Sequence, residues 1–199
     1  MGRRDQSAEQ RQRLLPIISE AFVELGYRRA TTAELARRCD VRENILYRLW
    51  EDKKAMFIAS VAYVFESSVE IWKSLGESDG SPAELLLDYE SEHHGEFGNY
   101  RLLFSALGEV HDPEIRAVVR DTYRKFFGFI REQLSEHFGR ADRADSDPFF
   151  SADVLAWAII GLGTATNVAS ELDLMNRSDR KLLLGGVAKQ LLGDATDAD

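Results

Sequence analysis

The chain has 199 residues and is 44% hydrophobic, enough apolar material for one large or two small domains with a true core. A single cysteine, Cys39, excludes an intrachain disulfide and a cysteine-built metal cage, and no continuous apolar run approaches the roughly 20 residues that span a bilayer. The formal net charge of −9 argues against nucleic acid as a partner, but residues 1–65 carry 12 Lys and Arg against 9 Asp and Glu, while the remainder carries 13 against 25. Basic character is confined to the first third, the asymmetry expected of a small DNA-binding head on an acidic body.

In chain order, Met1–Ser7 has charges with no apolar stretch behind them, which predicts a cytoplasmic chain. Residues 1–12 read as a polar arm. The first helix is expected to start near Leu15 with Pro16 in its first turn, to bury Ile18, Ala21, Phe22 and Leu25, and to stop at Gly26. Thr31 is placed to cap a second helix, with Glu34 completing a capping box and Leu35, Ala36 and Cys39 turned inward. A tight turn at Asp40 leads into a third helix from about Arg42 to Trp50. Its spacing points Leu46, Leu49 and Trp50 inward and leaves Glu43, Asn44, Tyr47 and Arg48 outside. A long helix from about Lys53 to Leu75 then sets Phe57, Val61, Val64, Phe65 and Trp72 on one stripe.

Beyond Leu75, Gly76–Gly80 reads as a loop and Gly139–Asp147 as another, with an acidic tail from Gly193. Ser81-Pro82, Asp112-Pro113 and Asp147-Pro148 each set Pro at a first helical position behind a good N-cap, and Glu84 suits a capping box with Ser81. Helices are predicted near 82–94, 100–110, 113–138, 149–172 and 179–192. No alternating apolar and polar run marks a strand, so the fold class is all-α.

The stretch Ile17–Met56 resembles the tetracycline-repressor (TetR) family. Phe22, Gly26-Tyr27, Thr31-Thr32, Leu35-Ala36, Val41, Leu46-Tyr47, Trp50, Lys53 and Ala55-Met56 carry the likeness, over about the first third of the chain. The resemblance implies an N-terminal three-helix helix-turn-helix domain followed by a helical-bundle body for ligand binding and dimerisation. It divides the chain at 1–54 (arm 1–12, helix-turn-helix 31–50) and 55–199. It also implies that the third helix reads DNA and that Thr32, Tyr47 and Lys53 contact phosphates, with Thr31 beside them. A helix N-terminus, a phenol and an ammonium are all good phosphate partners. For base reading, Asn44 suits adenine, Arg42 or Arg48 guanine, Ile45 a thymine methyl, and Glu43 the amino group of cytosine. The chain departs from the family where Ser, Lys, Gly and Thr often open the recognition helix, having Arg42, Glu43, Asn44 and Ile45, and has Leu49 where His often precedes the final aromatic.

The body carries no motif of its own. Trp72, Tyr89, Tyr100, Phe104, Tyr123, Phe127 and Trp157 are candidates for an effector pocket, although such residues are more often plain core. Val154, Gly161, Ala165 and Val168, with Leu183, Val187 and Leu191, form stripes suited to a dimer interface or to intramolecular packing. His93 and His94 beside Glu90 and Glu96 invite a metal, but adjacent histidines on a helix point about 100° apart, so none is expected. No nucleophile and base lie at a catalytic spacing and no glycine-rich phosphate loop occurs, so neither enzyme activity nor a cofactor is expected. The reading is a homodimeric repressor released from a palindromic double-stranded operator by a small-molecule effector, with no membrane partner. The alternative is a helical small-molecule-binding protein or enzyme whose DNA-binding head is degenerate.

Overall fold

The computed structural model describes residues 3–74, 82–95, 98–139 and 151–192. Among these, helices are the only regular elements: α1 (Arg3–Arg29), α2 (Thr32–Arg38), α3 (Glu43–Leu49), α4 (Lys53–Ser74), α5 (Pro82–His93), α6 (Asn99–Leu107), α7 (Pro113–Gly139), α8 (Ala152–Glu171) and α9 (Arg177–Leu192). The all-α class and the element order agree with the sequence. The expected caps Ser81 and Asp147, with Pro148, lie outside the described residues; so do Glu96 and the acidic tail.

The chain divides into two compact units, Met1–Val69 with Gly98–Tyr123, and Glu70–Phe97 with Arg124–Asp199. In the first, α1 packs along α6 and also meets α2 and α3. Leu14, Ile18, Ala21 and Phe22 of α1 are buried together with Leu35, Leu46, Leu49, Met56, Phe57 and Leu102. An aromatic knot sits in this unit: Phe57 meets Phe22 edge-on at 5.0 Å between centroids and Tyr27 at 4.6 Å. Polar contacts fasten α6 and the start of α7 to the same unit. The Tyr27 amide donates to Ser105 Oγ (3.3 Å), Arg28 Nε to Glu109 Oε1 (2.7 Å), and Lys54 Nζ to Glu114 Oε1 (2.6 Å). Asp112 caps α7, its Oδ1 accepting the amides of Glu114 and Ile115.

The N-terminal region corrects the sequence reading. Helix α1 starts at Arg3 rather than near Leu15, so Pro16 lies in its interior and residues 3–12 are helical rather than an extended arm. Proline removes one backbone donor here. The buried stripe from Leu14 to Phe22 spans that position and holds the helix on the core despite the lost bond. At the other end, Gly26 breaks the helix as expected, but not in the left-handed α conformation: φ 71° with ψ 162° is a region essentially open to glycine alone. One further helical turn follows, to Arg29.

In the second unit, α5 packs on α9 and α8 on α9. Ala83 and Leu86 meet Ile130, Leu134, Phe138, Leu155, Ala156 and Leu192 in a buried cluster. Helices α4 and α8 are long and apolar enough to cross a membrane by length and composition alone. The sequence reading, which counted continuous apolar runs, passed over them because small and polar residues interrupt both. In α4, Met56, Phe57, Val61 and Val64 are buried in the first unit.

Candidate nucleic-acid interface

The α2–turn–α3 segment is built as its sequence dictates. Thr31 Oγ1 accepts the Glu34 amide at 3.2 Å and caps α2. Helix α2 ends in a Schellman motif: the Val41 amide returns to Ala36 O (3.0 Å) and the Asp40 amide to Arg37 O (3.2 Å), with Asp40 at φ 51°. Aspartate tolerates this left-handed conformation, which makes the turn tight without a glycine. Arg42 occupies the N-cap of α3 without a side-chain bond, the weak cap its chemistry predicts. Leu46, Leu49 and Trp50 face the core at 0%, 1% and 8% exposure. Leu49, where the family often has a histidine, is therefore a packing residue. Arg42, Glu43, Asn44, Tyr47 and Arg48 are exposed, and Ile45 is half-buried.

The structure pairs two of the predicted phosphate-facing residues and sets the third at the α1–α2 junction. Tyr47 Oη donates to Thr32 Oγ1 at 3.2 Å, tying the middle of α3 to the first residue of α2. Lys53 Nζ donates to Ala30 O (3.0 Å), next to Thr31, and to Tyr27 O (2.9 Å), and it sits 4.5 Å from the Tyr27 ring centroid. An ammonium has three donors, so one remains. The lysine thus closes the chain between α1 and α2, a structural duty that sequence spacing does not reveal. Gln10 is a second unforeseen neighbour: Arg48 Nη2 donates to its Oε1 at 2.7 Å.

The expected capping box is only half formed. Glu34 turns away from the Thr31 amide; its two oxygens accept from Arg37 Nη2 and Nε (both 2.8 Å) and from Arg38 Nε (2.9 Å). Arg38 Nη1 also reaches Glu24 at 2.6 Å. The two guanidiniums hold the Glu34 carboxyl down at about 2, against an ordinary 4.5. A depressed carboxylate stabilises the fold fully above its unfolded value and loses that contribution as pH falls toward the folded one. Glu34→Gln is accordingly expected to lower the thermal midpoint at pH 7, with the gap to wild type closing between pH 4.5 and about 2. A gap independent of pH would place the effect elsewhere.

This geometry is shared with known proteins. Residues 18–60 match the model for bacterial regulatory proteins of the tetR family. Residues 18–60 thus form an N-terminal domain of the tetR type. That domain is a helix-turn-helix of the kind found in DNA-binding bacterial regulators. Solved structures share the fold along nearly the whole chain. One, from Rhodococcus sp. and assigned to the TetR family, is 15% identical with a TM-score of 0.80, covering 94% of this chain and 100% of that one. The fatty acid degradation regulator FadR from Bacillus halodurans is 15% identical at TM-score 0.71, covering 92% and 98%. A regulator from Saccharomonospora viridis, solved in complex with choline, is 14% identical at 0.71, covering 94% and 97%. No curated protein sequence matches the chain.

The aromatic candidates for a pocket fall in both units. Tyr100, Phe104 and Tyr123 belong to the first, where Tyr100 and Phe104 meet edge-on at 5.7 Å and burial raises the Tyr123 phenol above its ordinary value. Trp72, Tyr89, Phe127 and Trp157 belong to the second. There Trp72 stacks on Phe129 at 5.0 Å, Phe127 stacks on Trp157 at 5.2 Å, and Tyr89 lies against His93 at 4.6 Å. Phe129 and Phe126, which meets Trp72 edge-on at 5.9 Å, are absent from the predicted set and lie three residues apart on α7.

A polar chain runs beside these rings. Trp72 Nε1 donates to Glu90 Oε1 (2.8 Å), Glu90 Oε2 meets His94 Nδ1 (2.6 Å), and His94 Nε2 meets Gly163 O (3.0 Å). A Cβ at residue 163 would stand 3.1 Å from His94 Cε1, so glycine allows this close approach. Among the described residues no group of three or more His, Cys, Asp or Glu is placed to hold a metal ion.

The predicted interface residues divide by face. Val154 and Val168 are 42% exposed, and Gly161 and Ala165 are also exposed, while Leu183 and Val187 are half-buried. The Leu191 side chain lies outside the described residues.

Proposed function

We propose that the chain is a homodimeric repressor that leaves a palindromic operator when a small-molecule effector binds, with residues 1–54 as the DNA-binding head and 55–199 as a body for effector binding and dimerisation. One observation carries the DNA-binding part: the exposed face of α3, with Arg42, Glu43, Asn44 and Arg48, stands beside the Thr32–Tyr47 pair. Base-reading and phosphate-positioning groups then share one surface. Dimerisation is supported by an exposed apolar stripe along α8, Val154, Trp157, Gly161, Ala165, Val168 and Leu172, at helical spacing opposite the buried Leu155 and Ala156. Two-fold partners bind half-sites about one helical turn apart.

Effector control is supported by the aromatic set of the second unit and by the choline held by the Saccharomonospora viridis relative in fold. The N-terminal parts of α4 and α7 share a compact unit with the head and their remainders belong to the second unit, which suits them to carry a population shift from body to head. The protein acts in the cytoplasm, as a regulator of this kind would.

Selection of duplexes from a random DNA pool by the full-length protein tests this reading. A palindrome should be enriched. Tyr47→Phe and Lys53→Ala should then weaken all sites alike, whereas Asn44→Ala should relax preference at one base position by roughly tenfold. A uniform loss for all three would remove the assigned roles.

A further inference from the structure

The N-terminal turns of α1 are fastened to α3. Two contacts do this, both within the first unit: Arg48 Nη2 donates to Gln10 Oε1 at 2.7 Å, and the Arg11 guanidinium lies 6.0 Å from the centre of the Trp50 ring. Trp50 caps the C-terminal end of α3 and is buried, so Arg11 anchors this part of α1 where α3 meets the core. Gln10 then reaches the exposed side, where Arg48 shares a helical face with Asn44 four residues earlier.

A free arginine on such a surface samples many rotamers and loses that freedom when it reads a base edge. A guanidinium whose Nη2 is held by a neutral amide keeps Nε and Nη1 donors for another partner. Glutamine is suited to the task because its carbonyl accepts from arginine without adding a negative charge near phosphates. Its own amide hydrogens stay available as donors. The contact depends on α1 being helical through Gln10, which follows from the start of α1 at Arg3.

We propose that Gln10 is a positioning residue for base recognition: it sets the Arg48 guanidinium in the orientation that reads one base pair of the operator. The proposal rests on the DNA-binding reading above.

The test is a double-mutant cycle read by sequence preference. Wild type, Gln10→Ala, Arg48→Ala and the double variant are each used to select duplexes from the same random DNA pool. Affinities are then measured on the enriched duplex and on versions changed at single positions. Arg48→Ala should lose about tenfold discrimination at one position. Gln10→Ala should lose about threefold to tenfold at that same position, and the double variant should match Arg48→Ala alone. Gln10→Glu, which retains the acceptor, should keep the preference while binding every duplex more weakly. Alanine is a strong helix former, so α1 should persist in Gln10→Ala, and an unchanged thermal midpoint verifies this. Unchanged preference in Gln10→Ala, a change at a different position, or multiplicative losses in the double variant would overturn the proposal. If wild type enriches nothing, the DNA-binding reading falls and takes this proposal with it; enrichment with an intact preference in Gln10→Ala removes the proposal alone.

Discussion

Replacing Phe57 by alanine is expected to destabilise the head by about 3–5 kcal/mol. Phe57 is fully buried, meets Phe22 edge-on at 5.0 Å and Tyr27 at 4.6 Å, and lies one turn beyond Lys53 at the start of α4. Truncation removes both the transfer free energy of the ring and its dispersion contacts. The surroundings cannot collapse freely into the space, because Ile18 and Phe22 of α1 and Leu46 and Leu49 of α3 are themselves fully buried. Urea unfolding would register this as a lower midpoint with an unchanged slope. Phe57→Leu, which retains most of the volume, should recover a large part of the loss. An alanine variant within about 1 kcal/mol of wild type would mean that α4 is not anchored on α1 as described.

The second large effect concerns assembly. Ala165 lies midway along the exposed stripe of α8, between Gly161 and Val168, and is itself exposed. A two-fold interface brings each position opposite a copy of its own patch, so Ala165→Asp introduces two like charges into one apolar seam. An uncompensated buried charge costs about 3–5 kcal/mol, so dimerisation should weaken by upwards of a hundredfold. Sedimentation equilibrium should show a monomer at concentrations where the wild type is dimeric, and affinity for a palindromic duplex should fall with it. Because residue 165 is exposed in the single chain, the helical content should not change. A variant that stays dimeric would assign the stripe to some other contact.

Most helix boundaries could be read from the sequence because local chemistry decides them. Asp112 ahead of Pro113 caps α7, Thr31 caps α2, and Asp40 takes the left-handed turn, all through bonds within a few residues. The inward and outward faces of α3 were equally legible, since helical spacing alone separates Leu46 and Leu49 from Asn44 and Arg48.

What escaped depends on partners far away in sequence. Pro16 signals a helix start locally, and only the packing of Leu14 and Ile18, with the Gln10 and Arg11 contacts, accounts for a helix that passes through it. Glu34 had the spacing of a capping box but found stronger partners in Arg37 and Arg38, because a charge-assisted bond to guanidinium outcompetes one to a backbone amide. The family resemblance made Lys53 a candidate for phosphate contact. Its bonds to Tyr27 O and Ala30 O, which shape the head itself, were not legible.

The most direct test of the central claim is the salt dependence of binding to the duplex enriched by selection. With Lys53 of each of two heads neutralising a phosphate, log Kobs should fall linearly with log salt with a slope of about −2 or steeper. A slope near zero, or no duplex bound even at low salt, would contradict the assignment of the α3 face as a DNA-reading surface.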